Sequence, residues 1–243
     1  MTSDVTASFT YVKDLPLYNT EKPYIILTHL NENHSRSNLE WETAAPEVIR
    51  NIRGQEGSFK LDDYGFAYCQ APTQFSDWDS NEKVEAEYLP EVMRILKENV
   101  EGVDHVEIFD WRRRAPGKGQ EFTNLNNPTE PLAPAEQVHL DQSPQGVLKR
   151  VKLLMGEKSS EYLQGRIRVI NVWRPLFTVQ DRPLAVCDGR TMKYSDLLET
   201  DLVRINYVGS TMFAKYRTGY EWYYLDQQTK NEFARMFHSF KGR

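Results

Sequence analysis

The stretch VHLDQSP, residues 138–144, sets His139 and Asp141 two apart, with apolar Val138 and Leu140 alternating between them. In an extended strand, residues two apart share a face, so an imidazole and a carboxylate converge on one spot. Such a pair supplies two of the three protein ligands of an iron(II) facial triad, and a second histidine would have to complete it. The stretch is therefore read as a strand that carries a site.

Outward from it, the chain keeps a β character. GVLKRVKLLMGEKSSEYL, which follows, reads as a helix with Val147, Val151 and Leu154 on one side. RIRVINVWRPL (166–176), PLAVCDG and TMFAKYRTGYEWYYL read as strands, and TKNEFARMFHSF as a closing amphipathic helix. Upstream, SFTYV and PYIILTHL are short strands, PEVIRNIRG a short helix ending at Gly54, and FKLDDYGFAYCQAPT two strands around 58–71. NEKVEAEYLPEVMRILKENV (81–100) is the strongest helical pattern, divided at Pro90. DHVEIFDWRRR (104–114) reads as a strand entering a basic turn. The Pro-rich run at 115–136 reads as a loop beside a site. Many short strands with helices outside predict a mixed, mainly β fold: a double-stranded β-helix (jelly-roll, cupin-like) core with flanking helices.

Composition narrows the function classes. A length of 243 residues suits one large domain, and a single domain over 1–243 is expected. A formal charge of −5 gives no electrostatic reason to expect nucleic acid or an anionic membrane as partner. Cys69 and Cys187 alone imply no disulfide framework. The N-terminal MTSDVTASFTYVKDLPLY is no signal peptide, and no apolar run approaches a membrane span, so a cytoplasmic protein is expected.

YVKDLPLYNTEKPY, IRGQE, YLPEV, IFDWRRR, VHLDQSP, INVWRPL, PLAVCD, YEWYYL and NEFARMFHSF occur in the order seen in a fungal family. The chain resembles the gibberellin desaturase/cephamycin methoxylase-like hydroxylases and desaturases of secondary metabolism, from about residue 9 to its last helix. The resemblance implies a double-stranded β-helix core and, in oxidising members, non-haem iron(II) with 2-oxoglutarate. Two departures count against that chemistry. Family members commonly show HxWYY where this chain reads YEWYYL, with Tyr220 in the histidine's place. They also continue past the last segment with a histidine and an arginine that would serve iron and 2-oxoglutarate. His238, the one histidine after His139, falls in a pattern read as helix rather than barrel strand. The expectation is a member without metal or cofactor, with Fe(II) and 2-oxoglutarate as the alternative.

On that expectation His139, Asp141 and Tyr220 are the candidate acid, base and hydrogen-bond donor. A buried relic pair is the competing reading of the first two. Arg114 is a candidate holder of an acidic enol or tropolone oxygen. Trp111, Trp173 and Trp222 are core residues or cavity walls. Alternation puts Asn171 with Trp173 on one face of their strand, opposite Val172 and Arg174, and turns Lys215 toward a pocket. Lys149, Arg150 and Lys152 read as a solvated helix face.

Within the family the resemblance points to hetero-Diels–Alderases that dehydrate a hydroxymethyl tropolone or phenol to an ortho-quinone methide. They then couple it to a humulene-type sesquiterpene. Proton transfer and a dry aromatic pocket suit that reaction. An iron(II)/2-oxoglutarate hydroxylase or desaturase and a non-catalytic binding protein are the alternatives. The expected partners are small apolar and tropolone- or phenol-like molecules, and a homodimer is allowed for.

Overall fold

A computed structural model describes residues 3–27, 35–115, 129–205 and 207–241. The strands are β1 (Val5–Ala7), β2 (Thr10–Val12), β3 (Tyr24–Ile26), β4 (Trp41–Thr43), β5 (Glu47–Asn51) and β6 (Phe66–Gln70). They continue as β7 (His139–Leu140), β8 (Arg166–Trp173), β9 (Ala185–Cys187), β10 (Leu197–Val203), β11 (Val208–Ala214), β12 (Trp222–Tyr224) and β13 (Glu232–Lys241). The helices are α1 (Leu61–Tyr64), α2 (Asn81–Lys83), α3 (Leu89–Asn99), α4 (Pro144–Met155) and α5 (Ser159–Tyr162). The fold is mainly β with flanking helices, as expected.

Three sheets carry the architecture, in the orders β1-β5-β12-β9, β3-β10-β11-β7 and β6-β13-β8, with β2 and β4 as a separate pair. Alternation sorts β12 cleanly. Tyr223 joins Phe66, Tyr68, Val186 and Ala234 in one cluster, against which Trp173 and Met236 pack. Trp222 and Tyr224 point the other way, to Tyr11, Ile49, Ala214 and Tyr220. The outer face of β6-β13-β8 is covered by α3, whose Val92 and Leu96 meet Ala67, Phe237, Ile170 and Val172. β8 is therefore apolar on both sides, with Asn171 an exception on the inner one.

Several expectations change. PEVIRNIRG is strand β5, not a helix: Ile49 is buried between exposed neighbours Val48 and Arg50, and Gly54 (φ +86°) makes the turn after it. In 58–71 the first piece is the short helix α1, and only β6 is a strand. The segment 104–114 pairs only at Arg114, bridged to Leu132, although Val106 and Ile108 still pack on the α3 cluster. NEFARMFHSF is strand β13, paired on both edges by β6 and β8. A central strand buried on both faces loses its period-2 signature, which is why it read as helix.

The helix at 81–99 is interrupted as Pro90 demands. A π turn, Val84–Tyr88, precedes α3, and Pro90 stands in its first turn, where the missing N–H costs no bond. Of the Pro-rich run, 116–128 lie outside the described residues, and 129–136 hold no helix. Among the described residues no helix is long and apolar enough to cross a membrane.

Candidate active site

β7 is only two residues long, yet its position is fixed from several sides. It pairs with β11, Phe213 opposite His139 and Met212 opposite Leu140. The Thr211 hydroxyl donates to the Leu140 carbonyl (2.7 Å). The Ser143 amide donates to the Ser210 carbonyl (3.0 Å), so the bend carrying Asp141 is tied to the same strand. Ser143 then caps α4, its hydroxyl accepting from the Gly146 amide (3.0 Å) and donating to Glu199 (2.8 Å). A strand, a bend and a capped helix thus follow directly from HLDQSP.

The two side chains converge as the spacing implied. His139 Nε2 lies 3.3 Å from Asp141 Oδ1. The other ring nitrogen, Nδ1, is 2.7 Å from the Gln137 carbonyl, a contact that requires Nδ1–H and leaves Nε2 as the free electron pair. Asn171 on β8 donates its amide to Asp141 Oδ2. A neutral imidazole would therefore set two acceptors against each other, and only a cation between them removes the repulsion. Protonation is one such cation. Burial works against it, but Asp141 outweighs burial and raises the His139 pKa. Burial likewise works against the Asp141 carboxylate, and His139 with Asn171 overrides it, holding the group at about 2.

The signs give a pH prediction. His139 has a raised folded pKa, so its contribution to stability is full below the unfolded value near ~6.5 and disappears as pH rises through the folded one. Asp141 contributes above its unfolded value near ~3.9 and loses that as pH falls toward about 2. In metal-free protein, NMR titration of the His139 ring should give a midpoint above that of an unfolded histidine, and Asp141→Asn should remove the elevation. A midpoint unchanged in Asp141→Asn would contradict the pairing.

The other candidates divide. Arg114 is exposed and donates to the Ala133 carbonyl (2.7 Å), yet its charge acts on both His139 and Asp141, lowering each. Asn171 reaches the pair, which settles the inward face of β8, and Trp173 shares that face. Arg174, on the other, is locked to the Ala71 and Lys230 carbonyls. Trp111 is half-buried in the irregular segment before Arg114.

Tyr220, Trp222 and Lys215 do not join the pair. Tyr220 donates to the Lys215 carbonyl (2.9 Å) and packs in a cluster that includes Val138. Val138 and His139 are consecutive in extended chain and face opposite ways. Tyr220 is thus on the far side from the imidazole and fills no vacated ligand position. Trp222 is buried in the same cluster, its indole N–H directed to Glu47 (3.3 Å). Lys215 is paired with Asp14 (3.3 Å).

Sequence reading missed Phe213, whose ring centre is 6.3 Å from that of His139, and Trp41, edge-on to Phe213 at 4.9 Å. Alternation in TMFAK would have put Phe213 on one face with Thr211, but not beside His139. His238 lies in β13 opposite Val169, with Met236 opposite Asn171, so its backbone is on a barrel strand after all. Among the described residues no group of three His, Cys, Asp or Glu forms around a common point. The pair accordingly fits two positions of an iron(II) site and does not by itself complete one.

The oxidoreductase/YMDC permease-like domain family matches residues 9–241. The "Fe(II)/2-oxoglutarate-dependent dioxygenase nvfI" of Aspergillus novofumigatus is 30% identical over 210 residues, covering 82% of this chain and 70% of that protein. The "Alpha-ketoglutarate-dependent dioxygenase tstK" of Talaromyces stipitatus is 27% identical over 235 residues, covering 90% and 83%. The solved structure of the "iron and alpha-ketoglutarate-dependent endoperoxidase NvfI" superposes with a TM-score of 0.83 at 26% identity, covering 97% of this chain and 84% of that one. The likeness identifies the β core as the cupin-like jelly roll of 2-oxoglutarate oxygenases.

Proposed function

The chain belongs to the fungal family of Fe(II)/2-oxoglutarate-dependent dioxygenase-like hydroxylases and desaturases, and from that premise we propose that it is a single-domain oxidising enzyme of secondary metabolism. The observation that carries the reading is the His139–Asp141 convergence, in which the Nδ1 contact to the Gln137 carbonyl turns Nε2 toward a carboxylate 3.3 Å away. This is the reverse of the order the sequence suggested. Tyr220 stands on the wrong face to replace a ligand, and His238 is in a strand. Where the chain stops is no evidence about its site.

Iron(II) with 2-oxoglutarate, when bound, would supply oxidation of a substrate carbon by dioxygen. Among the described residues, His139 and Asp141 would hold the metal. Asn171 orients the Asp141 carboxylate, the Gln137 carbonyl fixes the His139 tautomer, and Phe213 with Trp41 form an apolar wall beside the imidazole. Arg114 offers a charge-assisted hydrogen bond to an acidic oxygen of the substrate. A small, mostly apolar molecule bearing a phenol- or tropolone-like oxygen matches that combination.

The test is anaerobic titration with iron(II), then turnover of 2-oxoglutarate in air with phenolic and terpenoid candidates. One equivalent of iron and oxygen-dependent succinate are expected. The paired imidazole and carboxylate of His139 and Asp141 support a second reading, cofactor-independent hetero-Diels–Alder coupling, in which they move the proton in the dehydration. Product formed from a hydroxymethyl tropolone and humulene without oxygen or 2-oxoglutarate, by protein holding well under one equivalent of iron, would replace the first reading with the second. No product by either route would leave a binding protein.

A further inference from the structure

Two turns beyond Asp141, α4 presents a cation whose surroundings the oxidising site does not use. The Arg150 guanidinium lies between two aromatic rings, 4.9 Å from the centre of Phe109 and 4.8 Å from that of Tyr207. Stacking of this kind holds a guanidinium in one plane and leaves its edge for hydrogen bonding. That edge is unmet: among the described residues Arg150 makes no ion pair and no hydrogen bond, and its Nε–H is shielded from solvent without an acceptor. The hydroxyl of Tyr207, the ring on which it stacks, is also shielded and unpartnered. Buried polar groups are satisfied in the great majority of cases, so two orphaned donors in contacting residues mark a missing acceptor. The shielded Glu91 Oε1 and Arg174 Nη2, by contrast, carry opposite charges 3.7 Å apart and so offset each other.

The field points the same way. α4 carries Lys149, Arg150 and Lys152 and no acidic residue, so its surface attracts negative charge. The fork and the hydroxyl donor suit a two-oxygen acceptor, and the ring faces on the guanidinium favour a flat one. We propose that Arg150, Tyr207 and Phe109 form a binding site for the carboxylate of a small organic acid, separate from the His139–Asp141 pair. Arg150 and Tyr207 both remain partly open to solvent, so the acid enters from the surface past the ring edges. The proposal does not depend on iron.

Succinate is a suitable probe, because it carries the carboxylate without the keto group that 2-oxoglutarate would offer a metal. Calorimetric titration of the whole chain, without added metal, should give saturable one-to-one binding. Arg150→Gln should weaken it at least about tenfold, and Arg150→Lys by nearly as much, since lysine keeps the charge but loses the fork. Tyr207→Phe keeps the ring and its stacking, and should weaken binding several-fold through the hydroxyl alone. His139→Ala should leave succinate binding unchanged, which separates this site from the metal pair. In labelled protein the Arg150 Nε–H resonance should shift on saturation. The proposal is overturned if succinate does not saturate, if Arg150→Gln and Tyr207→Phe bind as the parent does, or if His139→Ala loses binding equally. Inorganic phosphate binding as tightly as succinate would also overturn it, by showing a site for anions in general.

Discussion

Asp141→Ala is expected to weaken iron(II) binding by on the order of 10²-fold or more and to abolish oxygen-dependent turnover, while Asn171→Ala costs on the order of 10–100-fold. The ranking follows from position. Asp141 faces the point where Nε2 of His139 is directed; Asn171 touches only the carboxylate's other oxygen. His139→Ala should match Asp141→Ala. His238→Ala is the informative companion, because the backbone of His238 stands in β13 opposite Val169, two residues along β8 from Asn171. Iron affinity lowered as far by His238→Ala as by Asp141→Ala would add His238 to the pair. Equal iron affinity in the parent and Asp141→Ala would remove the metal from this site altogether, and circular dichroism on each variant guards against misfolding as the cause.

What was readable in the sequence, and what was not, follows from the range of the interactions. The convergence of His139 and Asp141 needed only the alternation of an extended chain, and it survives in a strand as short as β7. The helix after β7 was legible from its apolar stripe, but its bounds were not: the run read as 146–163 begins at Pro144, capped by Ser143, and α4 ends at Met155, before Gly156. β5 and β13 went wrong for a non-local reason. β13 buries Phe233 and Phe237 toward the helices and Ala234 toward the core. Apolar residues on both faces mimic a helical stripe until the flanking β6 and β8 are known. The side of the barrel that Tyr220 and Trp222 occupy was equally hidden, because it is decided by which cluster meets each face of β12. The orphaned Arg150 had no signal beyond a basic helix face; only its ring neighbours, about 40 and 60 residues away in sequence, single it out.

Arg53→Met is expected to cost about 3–5 kcal/mol of stability, the range for stranding one member of a buried ion pair. Glu232 opens β13 with its side chain 6% exposed, and Arg53 holds it with both terminal nitrogens, at 2.5 and 3.2 Å. The same guanidinium bonds the Asp226 carbonyl from Nε and Nη2 (3.1 and 2.6 Å), so one side chain ties the end of β5, the turn after β12 and the start of β13. The Thr229 amide and the Gln70 side chain complete the shell around the carboxylate. Burial by itself would raise the Glu232 pKa, but Arg53 and the Thr229 amide more than offset it and hold the group below its usual range. The network therefore contributes stability above the unfolded glutamate value near ~4.3, and loses it as pH falls through the lowered folded value. Arg53→Met removes the largest influence that opposes burial, so the folded pKa of Glu232 rises above the parent's. The destabilisation should be largest near neutrality, shrink as pH falls through the stranded group's raised pKa, and vanish below the parent's lowered one. Adding Glu232→Leu to Arg53→Met should restore much of the loss, because the penalty belongs to the unpaired charge and not to the missing arginine. Denaturant unfolding of the parent, the single and the double variant across pH 3–8 reads both effects. A single-variant loss independent of pH, and not relieved in the double, would mean that Arg53 acts through the Asp226 carbonyl and that Glu232 carries none of the cost.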